Sequence, residues 1–535
     1  MKKIPIGIDD FKDLINGNYY FIDKSLFIKD AFEEDAPVIL IPRPIKFGKS
    51  LNISMMKYFF TLKNAKENRT LFNGLKIENE KIIDEQGKYP VIYISFKDVS
   101  GKSWDDFYNS IKTKISKLFF EYKYLLNKDS ISCYDKETFE KILLNTGNQN
   151  SYESSIKFLC ELLYEYHDVS PIILIDDYDH PIVSVATSEF YKEGHNFYMN
   201  LLGTSLKGNE YLKKAVLVGT LISTKQHIFD GLDNIYISSI LYSRLNYFGF
   251  SEDEIVELLK YYEKDYNISK IKEWYGNYSF GKNSLYNPGS IINSIKFGEL
   301  KAYWMHSPIN DLIKICLSNI SKSEYNTLVK LLNNELIKIE MEENILLDSL
   351  DKESSSWNIL LFSGYLNFTG NKEIIFVNKE TRNFYINTFK ELASNDIEGF
   401  NKLLGLLLNK DIKNFKDFLQ EIFYKAVSNY NAGKEEKYYH NLMLGFVFGL
   451  EENYIIHSNR EYWTGWATLV LKSKDGKLPN YIFEFKVSKK SEEFEEDCKR
   501  SLTRIEEKKY GIEIENPVKI GMSFYGKEIE ILSKG

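Results

Sequence analysis

The chain is poor in cysteine, has no long apolar run and carries no excess of positive charge, and each shortage removes a class of protein. Its four cysteines, Cys133, Cys160, Cys316 and Cys498, are widely separated in 535 residues and form no CxxC pair. That spacing implies neither a disulfide framework nor a zinc site, and it suits a reducing interior. No uninterrupted apolar stretch reaches the ~18 residues that a membrane span needs. Met1-Lys2-Lys3-Ile4-Pro5 leads into polar sequence rather than the apolar segment of a signal peptide. The expectation is a cytoplasmic (intracellular) protein with no membrane partner. A net charge of −7 argues against a nonspecific nucleic-acid coat, although one domain could still carry a basic face. The 38 tyrosines and 36 phenylalanines are scattered among Lys, Asn and Ile rather than gathered into a base-stacking platform, so they carry no functional weight.

What is present is size and patterning. At 535 residues, with 43% hydrophobic and 27% charged residues, the chain is globular and long enough for two to four cores. Pro37-Val38-Ile39-Leu40-Ile41 reads as a buried parallel strand, and Leu51 to Phe60 has helical apolar spacing. Between them lies Arg43-Pro44-Ile45-Lys46-Phe47-Gly48-Lys49-Ser50, a strand-loop-helix context that fits a phosphate-binding loop of the Walker A type. In that reading Lys49 reaches the β- and γ-phosphates, the Ser50 hydroxyl ligates Mg²⁺, and N–H groups from Gly48 onward hold phosphate oxygens. Arg43 stands where the usual motif has glycine; Arg43 and Lys46 would then add positive charge near the phosphates. Taken alone, Gly-Lys-Ser recurs by chance, and its bland reading is an ordinary helix start with a lysine in it.

Pro171-Ile172-Ile173-Leu174-Ile175-Asp176-Asp177 shifts that balance, because an apolar strand ending in two carboxylates is what a Walker B magnesium-holding strand tip looks like. Asp176 would act on the metal, directly or through water. Asp177 occupies the place of the carboxylate that orients attacking water, with a side chain one methylene shorter than Glu. Val91 to Phe96 and Ala215 to Thr220 read as further buried strands, the second with a polar tip suited to sensing a γ-phosphate. Strands alternating with helical stretches predict an α/β fold with a mainly parallel, doubly wound sheet of the P-loop NTPase type.

On these residues, together with Ile4-Pro5-Ile6-Gly7, Tyr20-Phe21-Ile22-Asp23-Lys24-Ser25, Asp179-His180-Pro181-Ile182 and Ile228-Phe229-Asp230-Gly231-Leu232-Asp233-Asn234, the chain resembles the AAA-ATPase-like family along essentially its whole length. The resemblance implies a divergent P-loop ATPase domain joined to a C-terminal PD-(D/E)XK nuclease domain, with ATP and Mg²⁺ as cofactors. It also implies that the glycine-poor loop is the family pattern. Two positions depart from it: Asp177 replaces the family's Glu, and Ile222 stands where relatives commonly carry Arg. If that arginine senses the γ-phosphate, this chain should turn over slowly.

From about Tyr236 to Gly405 no catalytic spacing occurs. Ser251-Glu252-Asp253-Glu254 predicts a helix with a capping box, placed as a lid. The aromatic and turn residues of Trp274 to Gly281 and Tyr286 to Ser290 read as a packed corner, and Ser363 to Leu366 with Ile374 to Asn378 as a hairpin in a winged-helix-like module. The expected division is an ATPase domain at 1–235, a helical connector at 236–405 and a restriction-endonuclease-like α/β domain at 406–535. The lack of repeats or flexible linkers implies packed rather than tethered parts.

After Gly433 the predicted order is helix (Glu436 to Leu450), three strands, helix (Ser491 to Tyr510), strand, which is the PD-(D/E)XK core order. Its chemistry needs a carboxylate on the second strand and Glu-x-Lys on the third, with the acids holding Mg²⁺ or Mn²⁺ and the lysine placing the attacking water. Glu484 and Lys486 fit as metal ligand and catalytic lysine, on one strand face with Phe483, Phe485 and Val487 on the other. Compared with relatives, Thr468 occupies the missing carboxylate's place, Trp466 that of an arginine and Arg504 that of a glutamine. A hydroxyl neither neutralises nor strongly binds Mg²⁺. Glu461 or Glu436 could supply the lost charge. The first reading is an ATP-binding, weakly hydrolysing protein whose C-terminal domain binds DNA, RNA or a partner without cutting. The alternatives are an ATP-regulated nuclease and a noncatalytic interaction protein.

Overall fold

The computed structural model describes residues 1–222, 235–241, 244–303, 312–313, 327–328, 330–332, 335–339, 353–369, 372–394, 397–426, 439, 443, 446–447, 450, 453–462, 465–507 and 514–535; within 353–355, 388–394, 397–401, 425–426, 458–462 and 465–468 only the backbone is described. Ile228 to Asn234, Glu436 and Tyr510 lie outside the described residues, as do the side chains of Glu461, Trp466 and Thr468. The chain divides into two compact units, 1–381 and 382–535.

The first unit is built on five parallel strands: β1 (Val38–Pro42), β2 (Val91–Ser95), β3 (Ile172–Asp176), β4 (Lys214–Gly219) and β5 (Ile235–Ile237), in the order β2-β3-β4-β1-β5. Every residue of β1, β3 and β4 is buried, which is why these stretches read as unbroken apolar runs. Each fully buried Ile or Leu in them contributes roughly 1.5–3 kcal/mol of burial free energy. β4 lies between the strand entering the Lys49 loop and the strand ending at Asp176. Because all strands run the same way, the carboxyl ends of β1, β3 and β4 come out at one edge of the sheet, where open α/β sheets bind ligands.

The helix Lys49–Phe60 follows the loop and buries Lys49, Asn52, Ile53, Met56 and Phe60 at helical spacing. Residues 236–381 are packed into the same unit as the sheet. The lid helix Glu252–Tyr261 starts with the expected capping box: Ser251 Oγ accepts from Glu254 N (3.3 Å), and Glu254 Oε2 accepts from Ser251 N (2.8 Å). Tyr275 and Tyr286 are buried in one apolar cluster with Ile255, Leu258 and Ile291, a packed corner as expected. β6 (Tyr278–Phe280) pairs with β7 (Asn283–Leu285), and β8 (Ile337–Lys338), β10 (Glu373–Phe376) and β9 (Leu366–Thr369) form a small antiparallel sheet containing the predicted hairpin.

The second unit carries β11 (Tyr454–Tyr462), β12 (Gly465–Ser473), β13 (Tyr481–Val487), β14 (Val518–Tyr525) and β15 (Glu528–Lys534) in sequential order, with only the β13–β14 pair parallel. The connection between those two strands is the helix Phe494–Glu507, which supplies the crossover a parallel pair requires. On the β15 side, the Gln420 amide docks the helix Ile412–Ala426, donating to Lys527 O (2.7 Å) and accepting from Ile529 N (2.9 Å).

Gly521, opposite Glu484 in the β13–β14 pairing, lets the crossover helix approach. A Cβ there would strike the Cys498 carbonyl and lie 3.2 Å from both Ser501 Cβ and Leu502 Cγ. Gly521→Ala is therefore expected to lower the stability of this unit by about 1–3 kcal/mol, seen as a lower denaturation midpoint at unchanged slope. An unchanged midpoint would show that the helix is not held this close.

Candidate functional site

At the carboxyl edge of the first sheet the pairing Pro42↔Gly219 and Asp176↔Val218 brings three strand ends together. Gly48 enters the helix at φ 80, a left-handed conformation that disfavours a side chain. Lys49, 7% exposed, donates to the carbonyls of Arg43 (2.9 Å) and Pro44 (3.0 Å) and to Thr220 Oγ1 (3.3 Å). Burial lowers its pKa, opposed by Asp177, Asp179 and Asp176. An ammonium ion ringed by carboxylates but satisfied by neutral oxygens is poised to exchange those carbonyls for an anionic ligand.

Asp176 is buried at 2% exposure. Burial and the neighbouring Asp177 raise its pKa, while Ser50 and Lys49 oppose the rise. Ser95 Oγ lies 3.4 Å from its Oδ2, whereas among the described residues its buried Oδ1 has no hydrogen-bond partner. Leaving such an atom unpaired costs about 1–3 kcal/mol. An orphaned carboxylate oxygen beside a serine hydroxyl fits a hard cation that takes oxygen ligands. The described residues contain no group of three or more His, Cys, Asp or Glu suited to a metal. A Mg²⁺ ion here would therefore draw most of its ligands from phosphate and water, as Mg²⁺ commonly does. Asp177 has φ 50, a strained value for a non-glycine residue, and lines a cavity at this edge of the sheet.

That cavity has a volume of about 770 Å³. Lys46, Lys49, Ser50, Asn52, Lys97, Asp177, Asp179 and Thr220 give it polar lining; Ile4, Ile6, Tyr20, Ile22, Phe250 and Leu258 give it apolar lining. It thus offers charged groups for phosphates and apolar surface for a base. The N-terminal arm is tied to the lid through Lys24 Nζ and Glu254 Oε1, 2.6 Å apart. Asp23 accepts from Ser25 N (2.8 Å) and Lys76 N (2.7 Å), so this stretch of the sequence pattern holds the arm in place.

Arg43 corrects an expectation. Its side chain is fully buried and does not line the cavity: it turns under the sheet edge, donating to Pro42 O (2.8 Å), Ser238 O (2.5 Å) and Leu245 O (3.0 Å). Its guanidinium also lies against the rings of Phe248 (5.3 Å) and Phe280 (5.2 Å). Burial pushes its pKa down to about 9, which leaves it charged at neutral pH. It braces the loop from behind rather than meeting phosphate, because those carbonyls take up its Nη1 and Nη2 donors.

Lys46 lines the cavity, but its ammonium donates to Tyr303 O at 2.9 Å. The N–H of the same Tyr303 donates to Glu380 Oε1 (2.7 Å), and Ser290 Oγ donates to Glu380 Oε2 (2.7 Å). Asn287 Nδ2 donates to Ile45 O (3.2 Å), and Phe47 packs on Tyr278 at 4.8 Å. Residues some 240 to 330 positions downstream thus grip the loop, a set of contacts that local pattern could not reveal.

In the second unit Glu484 is 1% exposed and lies 2.9 Å from Arg504 Nη1; Lys486 Nζ lies 3.1 Å from Asp497 Oδ1. Asp497, which sequence reading overlooked, also accepts from Ser488 Oγ (2.8 Å) and Arg500 Nη1 (3.3 Å). Burial would raise its pKa, yet Ser488, Lys486 and Arg500 hold it below the usual carboxylate range. The charges around Glu-x-Lys are balanced within the protein.

The family described as Predicted AAA-ATPase matches residues 5–229, and the PD-(D/E)XK nuclease superfamily matches residues 434–534. The chain therefore carries an AAA-ATPase-like N-terminal domain and a PD-(D/E)XK nuclease-superfamily C-terminal domain. It is 26% identical over 313 residues to an uncharacterized protein in the vnfD 5' region of Azotobacter chroococcum mcd 1, covering 57% of this chain and 54% of that one. The match thus spans about half the length of that curated relative. Among solved structures, a Walker-type ATPase of Pyrococcus abyssi aligns at TM-score 0.36 and 11% identity, over 72% of this chain and 98% of its own. Among the described residues no helix is long and apolar enough to cross a membrane.

Glu380 gives the loop clamp a pH signature. Burial raises its pKa from 4.5 to about 7 against the opposing effects of Tyr303 N–H, Ser290 and Lys46. The folded state then holds a proton that the unfolded state releases, so this group's contribution to stability is present at low pH and lost as pH rises toward 7. Glu380→Gln cannot ionise; its stability relative to the natural chain should rise between pH 5 and 7 by up to about 1.4 kcal/mol per unit, read from denaturation midpoints. A difference independent of pH would refute the assignment.

Proposed function

We propose that the first unit binds Mg-ATP and hydrolyses it slowly, and that the nuclease-derived second unit binds nucleic acid or a partner without cutting it. The observation that carries the first half is Asp176, buried beside Ser50 with its Oδ1 left without a hydrogen-bond partner among the described residues, at the same sheet edge as the cavity that Lys49 and Ser50 line. Lys49 would leave the Arg43 and Pro44 carbonyls for phosphate oxygens, Ser50 and Asp176 would hold Mg²⁺, and N–H groups at the helix start would take phosphate oxygens. Bound Mg²⁺ would neutralise phosphate charge. Asp177 would orient water; its short side chain and the apolar Ile222 support slow turnover.

The absence of cleavage is supported by Arg504. Its guanidinium balances Glu484 from 2.9 Å, where a nuclease would need a divalent cation. Lys486 is likewise engaged by Asp497 rather than left to place water.

Mg-ATP should raise the thermal midpoint of the natural chain, and Lys49→Ala should remove that shift along with ATP binding by titration. Unchanged ATP affinity in Lys49→Ala would defeat the nucleotide reading. Incubation with single- or double-stranded DNA and Mg²⁺ or Mn²⁺ should give no products. Cleavage that disappears in Glu484→Ala would instead establish a working nuclease.

A further inference from the structure

The carboxylate of Asp179 is the most enclosed charged group at the carboxyl edge that the preceding scheme leaves unused. It is 4% exposed, three residues beyond Asp176, and its Oδ2 accepts two backbone N–H groups, from Thr220 at 3.0 Å and Leu221 at 2.8 Å. Both donors lie just after β4, where the chain leaves the sheet. The adjacent Tyr178 hydroxyl donates to Leu221 O, and Tyr198 Oη donates to Tyr178 O at 2.7 Å, so the same turn is held at its other end. Gly219 completes the fit: a Cβ there would strike Asp179 Oδ1 and the Tyr178 ring. The outcome of this clamp is the position of one hydroxyl, Thr220 Oγ1, 3.3 Å from Lys49 Nζ.

We propose that Asp179 is a positioning residue for triphosphate recognition: it fixes the turn after β4 so that the Thr220 hydroxyl stands beside Lys49, where the terminal phosphate of ATP would lie. The proposal rests on the nucleotide reading above and adds to it the part that distinguishes ATP from ADP. A carboxylate suits the task because one oxygen can accept both N–H groups, and charge strengthens each bond. Burial raises the Asp179 pKa to about 6, against the pull of those N–H groups and Lys49, which leaves the anion in place at neutral pH.

The test is the ratio of ATP to ADP affinity, measured by calorimetry with Mg²⁺ at pH 7.5 on the full chain and on Asp179→Ala, Asp179→Asn and Thr220→Val. Losing one hydrogen bond to a charged phosphate costs about tenfold in affinity. Thr220→Val and Asp179→Ala should therefore weaken ATP by about that factor while leaving ADP within about twofold. Asp179→Asn, whose amide oxygen can still accept both N–H groups, should recover most of the loss. If Asp179→Ala does not fold, Thr220→Val and Asp179→Asn carry the comparison alone. Equal losses for ATP and ADP, or an unchanged ratio in Thr220→Val, would overturn the proposal. Failure of the natural chain to bind either nucleotide would instead overturn the reading on which it rests.

Discussion

The first unit depends on one desolvated ammonium held among carboxylates. Lys49 is buried where β1, β3 and β4 end, with Asp176, Asp177 and Asp179 all acting on it. Removing that many charges from water is costly unless they compensate one another. The neighbourhood shows how compensation is shared: Asp179 is satisfied by two backbone N–H groups, Lys49 by two loop carbonyls, while Asp176 keeps a buried oxygen with no hydrogen-bond partner among the described residues. A buried acceptor without a partner sets this neighbourhood apart from an ordinary salt-bridged core.

The loop is held from both sides. On the sheet side, Arg43 spends its positive charge on the carbonyls of Pro42, Ser238 and Leu245. On the other, Lys46, Tyr303, Glu380 and Ser290 join the loop to distant helices, and Gly289 is needed because a Cβ there would come within 2.7 Å of Lys46 Cβ. A glycine-poor loop has less intrinsic freedom to wrap a phosphate than a glycine-rich one. These contacts supply in tertiary form the shape that glycines would otherwise allow. Residues 236–381 thus contribute directly to the geometry of the loop.

The second unit applies the opposite electrostatic logic. Glu484 and Lys486 are carried by a well-formed strand, yet each faces a protein charge of opposite sign, Arg504 and Asp497. Both partners sit on the crossover helix Phe494–Glu507, seated against β14 where Gly521 allows close approach. Here the pairing is between charged side chains, whereas Lys49 is met by neutral carbonyl oxygens.

Legibility followed the range of the interactions. Local runs and spacings were enough to predict the strand at Val38, the capping box at Ser251, the Asp176 strand tip and the three strands and crossover helix around Glu484, because each is decided by neighbours a few residues apart. The expectation for Arg43 failed for the same reason: a positive residue in a phosphate loop looks like a ligand until Ser238 and Leu245, some 200 residues away, fold around it. Asp179 was visible in its motif, but its work on Thr220 required the pairing of β3 with β4. Asp497 resembled any other acid on a charged helix until Lys486 came within reach. The order of residues alone therefore determined which elements form and what chemistry they carry, since propensity, periodicity and motif spacing are short-range. Only the tertiary structure decided which charges are spent inside the protein and which stay available to a ligand, because burial and pairing depend on partners brought together by the fold.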